Sequence, residues 1–150
     1  MAIVQLLTPE RVIHCLRTSD KSQLLQELAR RASDYVKVPQ KVILEALVTR
    51  EKLGTTGLGN GFALPHARID GLNVMFGMFV KLARPIAYEA IDEKAVDLVF
   101  LLLIPTDAGS DHVAALAAIS RRIRDQDCAE RLRKAENAAE LYALLTNGAG

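Results

Sequence analysis

The run Arg50-Glu51-Lys52-Leu53-Gly54-Thr55-Thr56-Gly57-Leu58-Gly59-Asn60-Gly61-Phe62-Ala63-Leu64-Pro65-His66-Ala67 changes character three times in a short distance. It opens on the tail of a helix, where Arg50 and Glu51 close an apolar face carried by Val42, Leu44, Ala46, Leu47 and Val48. Gly54, Gly57, Gly59 and Gly61 follow, too dense for any helix interior. A short apolar segment, a proline and a histidine come next. Pro65 has no amide hydrogen and biases Leu64 towards an extended conformation. His66 is therefore expected to leave the end of a short strand, beside a flexible loop rich in free backbone N–H groups. Such a position suits a nucleophile.

On the N-terminal side, residues 7–10 read as a turn and 11–16 as a strand. Leu24, Leu25, Leu28 and Ala32 recur at helical spacing across residues 20–36, with Ser19 or Asp20 as cap and Pro39 in the first turn of a second helix. On the C-terminal side, residues 68–73 read as a turn. Residues 74–82 form a nearly apolar and hence central strand. Residues 84–88 read as a short edge piece, because Pro85 cannot continue a central ladder. Residues 97–105 are the clearest buried strand. Ser110 or Asp111 caps a third helix, which buries Val113, Leu116, Ala117, Ile119, Ser120 and Ile123 and turns Arg121, Arg122 and Arg124 to water or a partner. Two closing helices are expected over 128–134 and 137–145, with a frayed tail at 148–150. Strands interleaved with helices on both sides indicate α/β layering. Without a repeat, linker or low-complexity tract, residues 1–150 are expected to form one domain.

Half of the 150 residues are hydrophobic, yet aromatics make up only 5% and tryptophan is absent, so the core is aliphatic. Nineteen basic against 18 acidic residues leave a formal charge of +1, which gives no electrostatic case for nucleic acid or an anionic membrane as partner. Cys15 and Cys128 lack the spacing of a disulfide framework or metal site and are expected to be buried free thiols. No segment reads as a signal peptide, and the longest apolar run, 98–104, is too short to span a bilayer. A soluble, cytoplasmic protein with no membrane insertion is expected. His14, alone in a β-type run, is read as structural.

The opening run resembles the active-site signature of the enzyme IIA proteins of the mannitol/fructose class, from the bacterial phosphoenolpyruvate-dependent phosphotransferase system. Glu51 stands at the acidic position, Leu58-Gly59 at the aliphatic-glycine pair, and Phe62-Ala63-Leu64-Pro65-His66-Ala67 at the closing apolar-Ala-apolar-Pro-His-small motif. Phe62 departs from the usual aliphatic residue. The resemblance covers nearly the whole chain and points to the free-standing nitrogen-related branch. It implies a single domain with a mixed β-sheet flanked by helices on both faces. It implies a phosphotransferase in which His66 accepts a phosphoryl group and His112, after the buried strand, is the auxiliary histidine. The implied partners are an HPr/NPr-like donor and regulatory targets such as potassium transporters or sensor kinases, with a IIB domain of a fructose- or mannitol-type permease as the alternative acceptor. A docking module without phosphotransfer is the reading of another class.

The residue types fit this chemistry. One nitrogen of a neutral imidazole carries a lone pair for attack. A phosphoryl transition state spreads charge over three oxygens, so catalysis is mainly positioning and electrostatics. Arg50 is expected to stabilise those oxygens, together with loop amides at Thr55, Thr56, Gly57, Gly59, Asn60 and Gly61. His112, near a helix N-terminus, is expected to be neutral and to donate an N–H. Glu51 is expected to orient Arg50 or a histidine. Leu58, Phe62 and Leu53 are expected to form an apolar docking rim. No third ligand stands near His66 and His112 at metal spacing, so neither metal nor cofactor is expected.

Overall fold

The computed structural model describes residues 2–146; the tail read at 148–150 lies outside the described residues. Two short 3-10 turns, Ile3–Gln5 and Pro9–Arg11, precede β1 (Val12–Leu16), α1 (Lys21–Val36) and α2 (Gln40–Lys52). The glycine-rich run supplies β2 (Gly57–Gly59), β3 (Phe62–Ala63) and β4 (His66–Ile69). β5 (Phe76–Ile86), β6 (Val96–Pro105), α3 (Asp111–Arg124), α4 (Gln126–Lys134) and α5 (Ala138–Thr146) complete the order. Local chemistry accounts for the helix ends. Asp20 Oδ1 accepts the Gln23 amide at 2.8 Å and caps α1, and Pro39 precedes α2, where a missing amide hydrogen is harmless.

The sheet is mixed and follows the order β1-β5-β6-β3-β2, with β4 also paired to β6. β5 runs antiparallel to β6, and β1 runs parallel to β5. β3 and β4 both lie parallel to β6 on the same side, Phe62 opposite Leu98 and His66 opposite Leu102. They are two pieces of one strand, interrupted at Leu64–Pro65. Pro65 cannot donate, but its carbonyl accepts the Leu102 amide at 3.0 Å, so the ladder continues across the break.

β6 is apolar on both faces because both are covered. Val99, Leu101 and Leu103 pack with α1 and α2, whereas Leu98, Phe100, Leu102 and Ile104 pack with α3, α4 and α5. The expected mixed sheet with helices on both faces is what forms.

Several sequence expectations are corrected. Residues 84–88 are not a separate edge piece: β5 runs on to Ile86, with its register to β6 shifting between Lys81 and Ile86. Pro85 is tolerated there because β1, the neighbour on the other side, has already ended opposite Leu82. Arg68 and Ile69 belong to β4 rather than to a turn. Cys128 is buried, but Cys15 is exposed, on a strand whose outer face is uncovered at that point. Burial raises the Cys128 thiol above its ordinary range. Arg122 does not face water: its guanidinium donates from Nε and Nη2 to the Leu144 carbonyl, at 3.1 and 2.7 Å, and ties α3 to the end of α5. His14 Nε2 lies 2.8 Å from the Ala135 carbonyl, a structural bond.

Candidate active site

Among the described residues β4 pairs with β6 alone, so its free edge can be approached from both helical layers. The last turn of α2 brings Arg50 to it from one side, and the first turn of α3 brings His112 from the other. Between them is a cleft of about 620 Å³ whose walls include Arg50, Leu53, His66, Arg68, His112 and Leu116. Arg50, His66 and His112, far apart in the chain, thus share one depression. A second, smaller hollow beside His66 is lined by Thr55, Thr56 and Leu58, again with Arg50.

His66 is half-buried as the first residue of β4. Its Nδ1 lies 2.8 Å from the Leu64 carbonyl two residues back. A carbonyl only accepts, so Nδ1 carries the hydrogen and Nε2 keeps the lone pair. Burial pushes the ring below the ordinary histidine range, and the positive charge of Arg50 pushes it the same way. The Leu64 bond and the Glu51 charge oppose that shift without cancelling it. The ring is therefore neutral near pH 7, with its free nitrogen ready to attack.

Arg50 donates one N–H, from Nη1, to the Gly54 carbonyl at 2.8 Å. That bond steadies the side chain over the loop and leaves further donors of the planar fork for an anion. His112 Nδ1 lies 3.0 Å from the Gly109 carbonyl and 3.2 Å from Arg68 Nη2.

Glu51 does not orient Arg50 or either histidine. Its carboxylate points under the loop, where it accepts from the Thr56 amide at 3.2 Å, the Thr56 hydroxyl, the Tyr88 hydroxyl at 3.2 Å and Lys21 Nζ at 2.8 Å. Burial raises this carboxyl, but Lys21 and Thr56 outweigh it and hold the group below the usual carboxylate range. The Tyr88 phenol is pushed upward, chiefly by its burial.

The expected row of free loop amides is also corrected. Gly57–Gly59 and Phe62–Ala63 form a hairpin closed by Asn60-Gly61, both with positive φ. The Asn60 amide donates to Asp92 Oδ2 at 3.0 Å, the Gly57 amide to Thr55 Oγ1 at 3.0 Å, and the Thr56 amide to Glu51. Gly59, Asn60 and Gly61 stand beside Asp92, Asp97 and Arg133, away from His66. Of the expected phosphate loop, only Thr55 and Thr56 share a hollow with His66. Phe62 is 1% exposed and belongs to the core on the α3 side, so it forms no rim; Leu53, 82% exposed, and half-buried Leu58 remain at the surface.

Sequence reasoning missed Lys21, Tyr88 and Arg68. Lys21 and Tyr88 carry no local signal for their meeting with Glu51. Arg68 did carry one: two residues beyond His66 on a strand, it shares the histidine's face.

Among the described residues no helix is long and apolar enough to cross a membrane. The family model described as "Phosphoenolpyruvate-dependent sugar phosphotransferase system, EIIA 2" matches residues 5–148. A protein of Bradyrhizobium diazoefficiens named "Nitrogen regulatory protein" is 46% identical over 145 residues, covering 97% of this chain and 95% of its own. The nitrogen regulatory protein IIA-Ntr of Neisseria meningitidis superposes with a TM-score of 0.91 at 30% identity, covering 96% of this chain and 99% of that one. Mannitol IIA of Escherichia coli has the same fold at 18% identity, with a TM-score of 0.79 over 93% of this chain and 99% of its own.

Proposed function

The chain belongs to the EIIA 2 family of phosphoenolpyruvate-dependent sugar phosphotransferase systems, whose members act in phosphoryl transfer, and we propose that it is a phosphohistidine carrier whose acceptor atom is Nε2 of His66. The single observation that carries the choice of atom is the 2.8 Å bond between Nδ1 and the Leu64 carbonyl. Nε2 attacks the phosphorus of a phosphohistidine on an HPr/NPr-like donor. A new N–P bond forms, the donor's N–P bond breaks, and its electron pair returns to the donor imidazole. Positive charge develops on the His66 ring as the bond forms, and the Leu64 carbonyl, already bonded to Nδ1–H, stabilises it. Arg50 and His112, on opposite walls of the cleft, meet the phosphoryl oxygens. Glu51 acts one layer away, holding Thr56 and the start of the loop beneath Arg50.

The role is regulatory and nitrogen-related, a reading supported by the names of the two relatives that match nearly full length. Its targets are proteins that read the phosphorylation state in the cytoplasm, and residues 1–150 work as one unit. Incubation with phosphoenolpyruvate, enzyme I and an HPr-like donor should place an acid-labile, base-stable phosphate on the wild type and none on His66→Ala. Equal labelling of the two proteins would overturn the site. Passage of the label to a sugar-specific IIB domain would overturn the regulatory assignment.

A further inference from the structure

β1 and β5 run parallel, and their last paired residues are Leu16 and Leu82. Arg17 and Arg84 therefore leave neighbouring strands just past the final rung. Both line a hollow of about 620 Å³ that also takes in Cys15, Thr18, Ser19 and Gln23 and shares no residue with either depression at His66. Arg30 and Arg31 are paired with Glu27, Arg131 with Asp127 and Arg133 with Asp97. Arg17 and Arg84, both exposed, form no ion pair or hydrogen bond among the described residues. Two like charges held near each other repel, and a concave wall focuses their field on the space between. The uncharged groups are biased the same way. Gln23 Oε1 accepts from the Ser19 amide at 2.5 Å and from the Ser19 hydroxyl at 3.0 Å, which uses up the acceptor and leaves the Gln23 NH2 group to donate. The Asp20 carboxylate, the one acid between β1 and α1, is committed to the Gln23 amide at 2.8 Å. The Thr18 hydroxyl is buried and has no hydrogen-bond partner among the described residues. The fold carries that cost, and an oxygen atom seated beside the hydroxyl would remove it. The hollow thus combines positive charge and free donors with acceptors already engaged.

We propose that this hollow is a second binding site, which takes a small metabolite by its oxyanion groups, carboxylate or phosphate. Each guanidinium offers a planar fork that meets such a group with two parallel bonds. The volume is in the range of small-molecule sites and leaves room for a carbon body beside the charged groups. The site stands apart from the reading of His66, because none of its residues enters that chemistry.

The test is an NMR titration of the ¹⁵N-labelled full chain with inorganic phosphate and, separately, with succinate, at an ionic strength held constant with sodium chloride. Amide shifts should saturate and centre on residues 15–23 and 83–84. Arg17→Gln and Arg84→Gln should each weaken binding by at least about tenfold, the scale of losing one charge-assisted contact. Both positions are exposed, and the unaltered remainder of each spectrum checks that the variants fold. Tighter binding of phosphate assigns the site to phosphorylated metabolites, and tighter binding of succinate assigns it to dicarboxylates. Cys15 gives a second readout, since it is exposed in the wall of the hollow while Cys128 is buried. A saturating anion should slow the alkylation of Cys15 by iodoacetamide in the wild type and leave it unchanged in the Arg17→Gln/Arg84→Gln pair. Shifts that rise without saturating, or that saturate equally in the wild type and both single variants, overturn the proposal and leave only the general attraction of a basic surface. Saturation without protection of Cys15 places the anion elsewhere and overturns it as well.

Discussion

The two ends of the glycine-rich run are built from similar residues but left in opposite states. At the hairpin end the charged groups are paired. Arg133 forks onto Asp97, Nε to Oδ2 and Nη2 to Oδ1, both at 2.9 Å, and also donates to the Asn60 carbonyl at 2.6 Å. The Gly61 carbonyl accepts the amides of Asp97 and Leu98 at 2.9 and 3.0 Å. Glu51, at the start of the run, is saturated in the same way by Lys21, Thr56 and Tyr88. At the His66 end, His66 and Arg50 are each held by one bond and keep something in reserve: a lone pair on the imidazole, unused N–H groups on the guanidinium. Saturated groups hold the fold, and half-used groups do the chemistry. The difference separates Glu51 from Arg50, although they are neighbours in sequence.

That contrast is most exposed to failure at Glu51. Its carboxylate side chain is 7% exposed and that of Lys21 is 19% exposed, so Glu51→Ala strands a half-buried ammonium and leaves the Thr56 and Tyr88 hydroxyls, 2.9 Å apart, only each other. The expected loss is about 3 kcal/mol of stability, the range for breaking a buried pair from one side. Denaturant unfolding measures it, against a His66→Ala control that loses labelling and keeps its stability. The pH dependence has a definite sign. The folded carboxyl is held below its ordinary range, so its contribution is full above the unfolded value of about 4.3 and is lost as pH falls through the lower folded value. The gap between wild type and Glu51→Gln should therefore close on acidification. A Glu51→Ala protein that stays stable but no longer accepts phosphate would make this residue a direct participant and end the division between the two regions.

A smaller effect is expected at Gly61. Its φ of +80° is strained for any residue with a Cβ, and an added Cβ would also collide with Arg133 Nη2 and lie 2.8 Å from Asp97 Oδ1. Gly61→Ala should cost about 2 kcal/mol, within the range for forced left-handed backbone. Phosphoryl acceptance at a temperature where the variant is folded should be unchanged. A selective loss of transfer would return Gly61 to the phosphate-binding loop from which its position removes it.

This separation also explains what could be read from the sequence. The long elements were legible because hydrophobic period and capping agree: the 97–105 run became β6, and the Leu24, Leu25 and Leu28 stripe became the buried face of α1. Arg50, His66 and His112 were brought together as the motif implied. The glycine run misled because density of glycine says only that the backbone is unusual, while Asn60-Gly61 is itself a hairpin signal that fixes β2 against β3. Phe62 was read as rim from its nearness to the motif. Strand alternation places Phe62 and Leu64 together with Leu98 and Leu102, in the layer under α3. The knot at Glu51 was invisible because Lys21 and Tyr88 come to it from distant segments, and no local pattern encodes that meeting.

The finest distinction between the regions is a proton affinity. Burial, aided by Arg50, lowers His66 below the ordinary imidazole value of about 6.5, so the ring in the folded protein takes up its proton only at a pH beneath that value. For function, the attacking lone pair persists into mildly acidic solution, and acceptance of phosphate should fall only below the pH at which a free histidine would already be half charged. For stability the sign is the same: burying the neutral ring costs nothing above the unfolded value and becomes a penalty as pH falls through it towards the folded one. An NMR titration of the His66 ring reads the midpoint directly. Arg50→Gln removes one cationic neighbour and should move the midpoint upward while leaving it below the ordinary value, because burial is the larger cause. A midpoint at or above that of free histidine in the wild type would mean that the ring is solvated and charged near neutrality. The His66 end would then hold no reserve that the saturated hairpin end lacks.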